Sequence, residues 1–167
     1  MNKTLKLSMI ALLAVLSTGV KAQEASENGT ARVSLRKALA IEEKTEMDFA
    51  TVTLGSGAGT VSVAENGNLI TSSYDYTTAG EGKAGKFTIT GPANQELNIS
   101  YTHGILKSSA GGATEIPVTI TGTEHLTSND TGIADLTVTG ELSFEGDEAD
   151  GDYSTENGTP YTVTVSY

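Results

Sequence analysis

From residue 45 onward the chain alternates apolar and polar residues in short runs. Val52 and Leu54 share one side of TVTL, and Val61 and Val63 share one side of TVSV. Phe87 and Ile89 do so in KFTIT, Leu97, Ile99 and Tyr101 in ELNISY, and Ile116, Val118 and Ile120 in EIPVTI. The longest run, ADLTVTGELSF, keeps Ala134, Leu136, Val138, Gly140, Leu142 and Phe144 on one side for eleven residues. In the final run, PYTVTVSY, Tyr161, Val163, Val165 and Tyr167 face one way and Thr162, Thr164 and Ser166 the other. A period of two sends successive side chains to opposite faces, so each run predicts a strand with one buried face. Gly140 predicts a bulge or bend in the longest strand. Pro117 lacks the N–H that a ladder needs and predicts an edge strand.

Glycine, asparagine and proline punctuate these runs in GSGAG, ENGN, AGEGKAG, GPANQ, SAGGA, SNDTG and EGDEADGD. Eight or nine short strands at this spacing predict an all-β, antiparallel, immunoglobulin-like β-sandwich. The chain has no cysteine. The fold must therefore hold without a disulfide, through packing and strand pairing alone. Tryptophan is absent and glycine numbers 19, which predicts a thin core of Val, Ile and Leu.

The segment ARVSLRKALAI, residues 31–41, admits two readings. As a strand it aligns Ala31, Val33, Leu35, Leu39 and Ile41, with Lys37 breaking the row. As a helix it aligns Leu35, Ala38, Leu39 and Glu42, but the stripe is short and uncapped. The strand reading is preferred.

Ahead of it, Lys3 and Lys6 precede the apolar stretch LSMIALLAVL, and VKA precedes Gln23. That order predicts an export signal over residues 1–22, cut after Ala22. The apolar run is too short to span a membrane, and no later stretch approaches that length, so no transmembrane segment is expected. Without cysteine there is no lipoprotein anchor. The expected organisation is a signal peptide at 1–22, an N-terminal arm or first strand at 23–44, and a β-sandwich domain at 45–167. The exported product is expected in the periplasm, at the cell surface or outside the cell.

Charge divides the exported chain. Across 23–44, Arg32, Arg36, Lys37 and Lys44 balance Glu24, Glu27, Glu42 and Glu43; beyond, Lys83, Lys86 and Lys107 face seventeen acids. Such acidity opposes nucleic acid as a partner.

No motif carries strong chemistry. The glycines of GSGAGT precede a strand pattern, so no helix N-terminus would face a phosphate; a hairpin loop is the better reading. Asp147, Asp150, Asp152 and Glu156 could offer oxygens to calcium but lack the order of an EF-hand, and a solvated acidic hairpin is expected. His103 and His125 stand apart from any nucleophile or ligand pattern and read as loop or strand-end residues. Asn98 and Asn157 lie in glycosylation-type triplets. No catalytic, cofactor-binding or metal residues and no cofactor are assigned, and a non-enzymatic role is expected.

Three blocks carry a resemblance: MDFATVTLGSGAGTVSVAENG, AGKFTITGPANQELNISY and LTVTGELSFEGDEADGDYSTENGTPYTVTVSY. They are similar to the bacterial exported family called domain of unknown function 4402, framing most of residues 40–167. Ala50 stands where that family commonly has glycine, and Gly140 stands alone where it favours a pair. More distantly the chain resembles spore-coat-U-like and chaperone–usher pilin subunits. That resemblance implies a fimbrial subunit of a surface fibre or coat, which associates with itself or with related subunits. A periplasmic chaperone and an outer-membrane usher are the further partners it implies. It also implies donor-strand addition, in which an N-terminal segment of one subunit completes the sheet of another. The implied assembly interface joins Val33, Leu35, Leu39 and Ile41 to Tyr161, Val163, Val165 and Tyr167, and an extension past Tyr167 is expected to obstruct docking. Two alternatives stand beside it: the arm completes its own sandwich, or the protein is a secreted monomeric module that binds glycan or protein through loops around Tyr153.

Overall fold

The computed structural model describes residues 30–72, 75–111 and 114–167. The expected signal peptide lies outside these residues. The chain divides into two compact units, residues 1–34 and Leu35–Tyr167. Of the first, residues 30–34 are exposed and irregular.

The second unit is all strand and turn among the described residues. Its strands are β1 (Ala40–Thr45), β2 (Thr51–Thr53), β3 (Gly59–Val63), β4 (Leu69–Thr71), β5 (Thr77–Ala79), β6 (Gly85–Thr90) and β7 (Glu96–Thr102). They continue as β8 (Gly104–Ser108), β9 (Glu115–Gly122), β10 (His125–Thr127), β11 (Ile133–Phe144), β12 (Tyr153–Thr159) and β13 (Thr162–Ser166). Every pairing is antiparallel. The larger sheet runs β1-β6-β11-β9-β8-β12, with β3 joining β11 and β4 joining β3; the smaller runs β10-β7-β13, and β2 pairs with β5.

The two sheets form a β-sandwich around one core. Ile89, Leu136, Val138, Val118 and Val61 come from the larger sheet and Leu97 and Ile99 from the smaller, all buried in one cluster. The alternation read from the sequence produces this directly: Ala134, Leu136, Val138, Gly140, Leu142 and Phe144 are the buried positions of β11. The chain crosses between sheets at tight corners, and side chains fix three of them. The Tyr101 hydroxyl donates to the Thr123 carbonyl at 2.6 Å, and His103 Nδ1 accepts the Ile120 N–H at 3.1 Å. Buried Ser128 donates to the Pro92 carbonyl at 2.6 Å and accepts the Gln95 N–H at 3.0 Å.

Several expectations need correction. Gly140 makes no bulge, because β11 pairs through it in unbroken register with β9, and its ladder with β3 starts at Gly140 without a shift. Its missing Cβ instead admits Met47 and Phe49, whose Sδ and Cζ would lie 2.5 and 3.0 Å from one. Pro117 is not on an edge strand, since β9 lies between β11 and β8. It is tolerated because the β11 ladder ends at Val118, leaving Pro117 paired on the β8 side alone. GSGAG is no hairpin loop: β2 pairs with β5 while β3 pairs with β11 and β4. The acidic loop is not a hairpin either, because β12 pairs with β8, two strands away from β11. Within it the Glu148 carboxylate accepts the N–H groups of Glu145 and Gly146 at 2.6 and 2.9 Å, closing the turn locally.

The strand expected over 31–41 begins only at Ala40. Among the described residues no strand pairs with residues 31–39, and an extended segment without a ladder partner has no reason to stay extended. The helical alternative is absent as well.

A candidate assembly seam

The edges of the two sheets meet along one side of the sandwich. β1 closes the larger sheet at one end and β13 closes the smaller. Pairing with β6 brings Ile41 opposite Ile89 and Glu43 opposite Phe87. Pairing with β7 sets Val163 opposite Tyr101 and Val165 opposite Ile99. Val163 and Val165 are half-buried against the core, while Thr162, Thr164 and Ser166 are exposed.

Two tyrosines bridge the seam. At one end the Tyr161 hydroxyl donates to Glu43 Oε1 at 3.1 Å, and its ring meets Phe87 edge-on, centroids 6.5 Å apart. Burial first, then the Glu43 and Glu46 carboxylates, push the Tyr161 pKa upward, because both disfavour a phenolate. At the other end the Tyr167 hydroxyl donates to the Lys37 carbonyl at 2.6 Å. The Arg36 guanidinium lies 5.6 Å from the Tyr167 ring centroid, within cation–π range. Leu39 closes this end against Gly91, where a Cβ would come within 2.7 Å of Leu39 Cδ2.

The eight expected interface residues thus separate into two groups. Leu39, Tyr161, Val163 and Val165 pack on the core of their own domain, with Ile41 and Tyr167 at its rim, 39% and 41% exposed. Val33 and Leu35 stand in solvent at 79% and 88% exposed. The row drawn through all four arm residues therefore divides, because Ile41 has β6 as a partner and Val33 has no strand partner among the described residues. Sequence reading missed Glu43, Arg36 and Gly91 at the seam. Nothing in a charged AIEEKT run marks Glu43 as a partner for a tyrosine 118 residues away.

Other singled-out residues do not converge. His125 lies 3.9 Å from Glu96 on the surface. Asn98 and Asn157 are exposed, and Asn157 Nδ2 donates to Ser154 Oγ at 2.9 Å. Tyr153 packs on the core and donates to the Ala149 carbonyl at 2.9 Å, so its ring and hydroxyl are both engaged. Among the described residues no three His, Asp or Glu side chains group to hold a metal. A shallow hollow on the outer sheet face has Ser62, Thr121, Thr139 and Glu141 in its walls; another lies between Thr114, Glu115, Glu145, Asp147 and Glu148. Neither is lined by a basic side chain. Among the described residues no helix is long and apolar enough to cross a membrane.

Residues 39–167 match the family model described as Domain of unknown function (DUF4402). No curated protein and no solved structure matches the chain.

Proposed function

We propose that this chain, which belongs to the DUF4402 family, is a non-enzymatic structural subunit of a surface fibre or coat, exported and assembled by strand addition between copies. One observation carries the reading: the alternating segment Ala31 to Leu35 is exposed and forms no strand, and among the described residues the outer strands of both sheets have a free side. Exposed Val33 and Leu35 are an uncompensated cost for a monomer, and burial of each would recover about 1.5–3 kcal/mol. Rigid-body association costs roughly 4–15 kcal/mol, so two side chains do not suffice. Backbone hydrogen bonds at about 0.5–1.5 kcal/mol each, and attraction between Arg32, Arg36 and Lys37 of the arm and an acidic body, have to supply the rest. Assembly of this kind is concentration-dependent and weakens with salt.

The test compares the exported chain with a form lacking residues 23–34, which keeps Leu35–Tyr167 whole. Electron microscopy and sedimentation should find assemblies for the first and monomer for the second. Monomer in both samples, at every concentration and at low salt, would defeat the reading.

A further inference from the structure

The few basic side chains of this acidic chain are not equally open to a protease. An endopeptidase draws several residues of its substrate into its cleft in extended form, so a bond inside a ladder is cut only after that ladder opens. Among the described residues Lys44, Lys86 and Lys107 lie in β1, β6 and β8. β6 is paired on both sides, with β1 and β11, and β8 with β9 and β12. The Lys44 and Lys107 ammonium groups also hold Glu42 at 2.6 Å and Glu115 at 2.8 Å. Lys83 exchanges backbone hydrogen bonds with Asp48 at 2.7 and 2.9 Å. That leaves Arg32, Arg36 and Lys37, in a stretch exposed from Thr30 to Ala38 and without helix or strand.

Two of these three are tied down. The Arg36 guanidinium stands 5.6 Å from the Tyr167 ring centroid, and it must leave that ring to enter a specificity pocket. The Lys37 carbonyl accepts the Tyr167 hydroxyl at 2.6 Å. A serine or cysteine endopeptidase polarises the carbonyl of the bond it cuts with donors of its own, so this contact has to break before the bond after Lys37 can react. It also pins the backbone one residue beyond the carbonyl of Arg36. Arg32 has no such tether: among the described residues it makes no ion pair and no hydrogen bond. Val33, which follows it, is 79% exposed, so the far side of the bond is open as well.

We infer that the Arg32–Val33 peptide bond is a proteolytic processing site, cut by an endopeptidase whose acidic pocket selects arginine. This goes beyond the assembly reading and does not depend on it. Hydrolysis consumes one water and leaves a carboxylate on Arg32 and an α-ammonium group on Val33. The bond lies among the last residues of the first compact unit, so the cut leaves Leu35–Tyr167 whole. Charge favours the encounter. From Thr30 to Leu39 the chain carries Arg32, Arg36 and Lys37 and no acid, whereas residues 45–167 set Lys83, Lys86 and Lys107 against seventeen acids. A negatively charged pocket is drawn to the first region and disfavoured at the second.

The test treats protein that starts at Gln23 with a low dose of trypsin and reads the products by intact mass spectrometry. Cutting after Arg32 should run about tenfold faster than after Arg36 or Lys37, because the Tyr167 contacts must break first. Arg32→Gln should slow cutting at that bond by about a hundredfold or more. Tyr167→Ala, checked for folding by circular dichroism, should bring Arg36 and Lys37 to the rate of Arg32. Tyr167→Phe keeps the ring beside Arg36 and should speed cutting after Lys37 alone. A first cut in the unmodified chain at Arg36, Lys37 or a lysine within the strands would overturn the assignment. Mass spectrometry of N-termini in protein collected from the cells that naturally produce it should find chains starting at Val33. A population in which every chain retains Arg32 would overturn processing at this bond, even where trypsin cuts it.

Discussion

Two neighbouring segments obey opposite rules. Ala31–Leu35 alternates without fault, ARVSL, yet forms no strand and leaves Val33 and Leu35 in water. Ala40–Thr45 reads AIEEKT, a poor strand by composition, yet forms β1 because β6 offers it a ladder. Alternation prepares a segment to be half-buried, but an available edge decides whether it becomes a strand. The first segment has the pattern but, among the described residues, no edge to pair with.

The comparison can be broken by mutation, and the largest effect belongs to the core. Leu136→Ala removes a side chain only 1% exposed and should destabilise the folded domain by about 2–5 kcal/mol in urea denaturation. The same truncation at Leu35 should shift monomer stability by no more than about 0.5 kcal/mol while lowering assembly. Equal losses at the two sites would mean that the arm already packs on its own domain.

Gly140→Ala comes next. Its Cβ would meet Met47 Sδ at 2.5 Å and Phe49 Cζ at 3.0 Å, so those side chains must shift, at a cost of roughly 1–3 kcal/mol. Thermal denaturation reads this, and an unchanged midpoint would contradict the packing described. Tyr167→Phe is smaller. It removes the hydrogen bond to the Lys37 carbonyl, worth about 0.5–1.5 kcal/mol, and keeps the ring under Arg36. The expected readout is faster amide exchange around Leu39, with global stability little changed.

The smallest effect is a pH dependence. Tyr161, Tyr76 and Tyr101 all have pKa values raised by burial, and then by Glu43, Glu148 and Glu124 respectively. A raised phenol stays neutral in the fold after the unfolded chain has begun to lose protons. Their contribution is therefore intact below the ordinary tyrosine pKa of about 10 and declines as pH rises above it. Urea midpoints measured across that range should fall, and Tyr161→Phe should fall less steeply. An identical alkaline slope would remove Tyr161 from this account.

Much of the fold was legible because each buried row repeats at period two. The rows through Leu97 and Leu136 stand in the core as their alternation requires. What stayed hidden depends on who pairs with whom. AIEEKT gives no sign that β6 recruits it, and GSGAG looks like a hairpin until β2 is seen to pair with β5. Pro117 implied an edge strand and instead lies just past the end of one ladder within an interior strand. The seam was half legible. The apolar rows of the arm and of β13 could be read, but the Tyr161–Glu43 and Tyr167–Lys37 bridges join residues more than a hundred positions apart.

Strand addition between copies is tested most directly by hydrogen exchange at the backbone amides of the edge strands, measured in dilute and in concentrated protein that starts at Gln23. The account predicts that amides of at least one edge strand gain protection with concentration, and that Val33→Asp with Leu35→Asp abolishes the gain. Edge-strand protection that is independent of concentration, or a gain that survives those two substitutions, would contradict it.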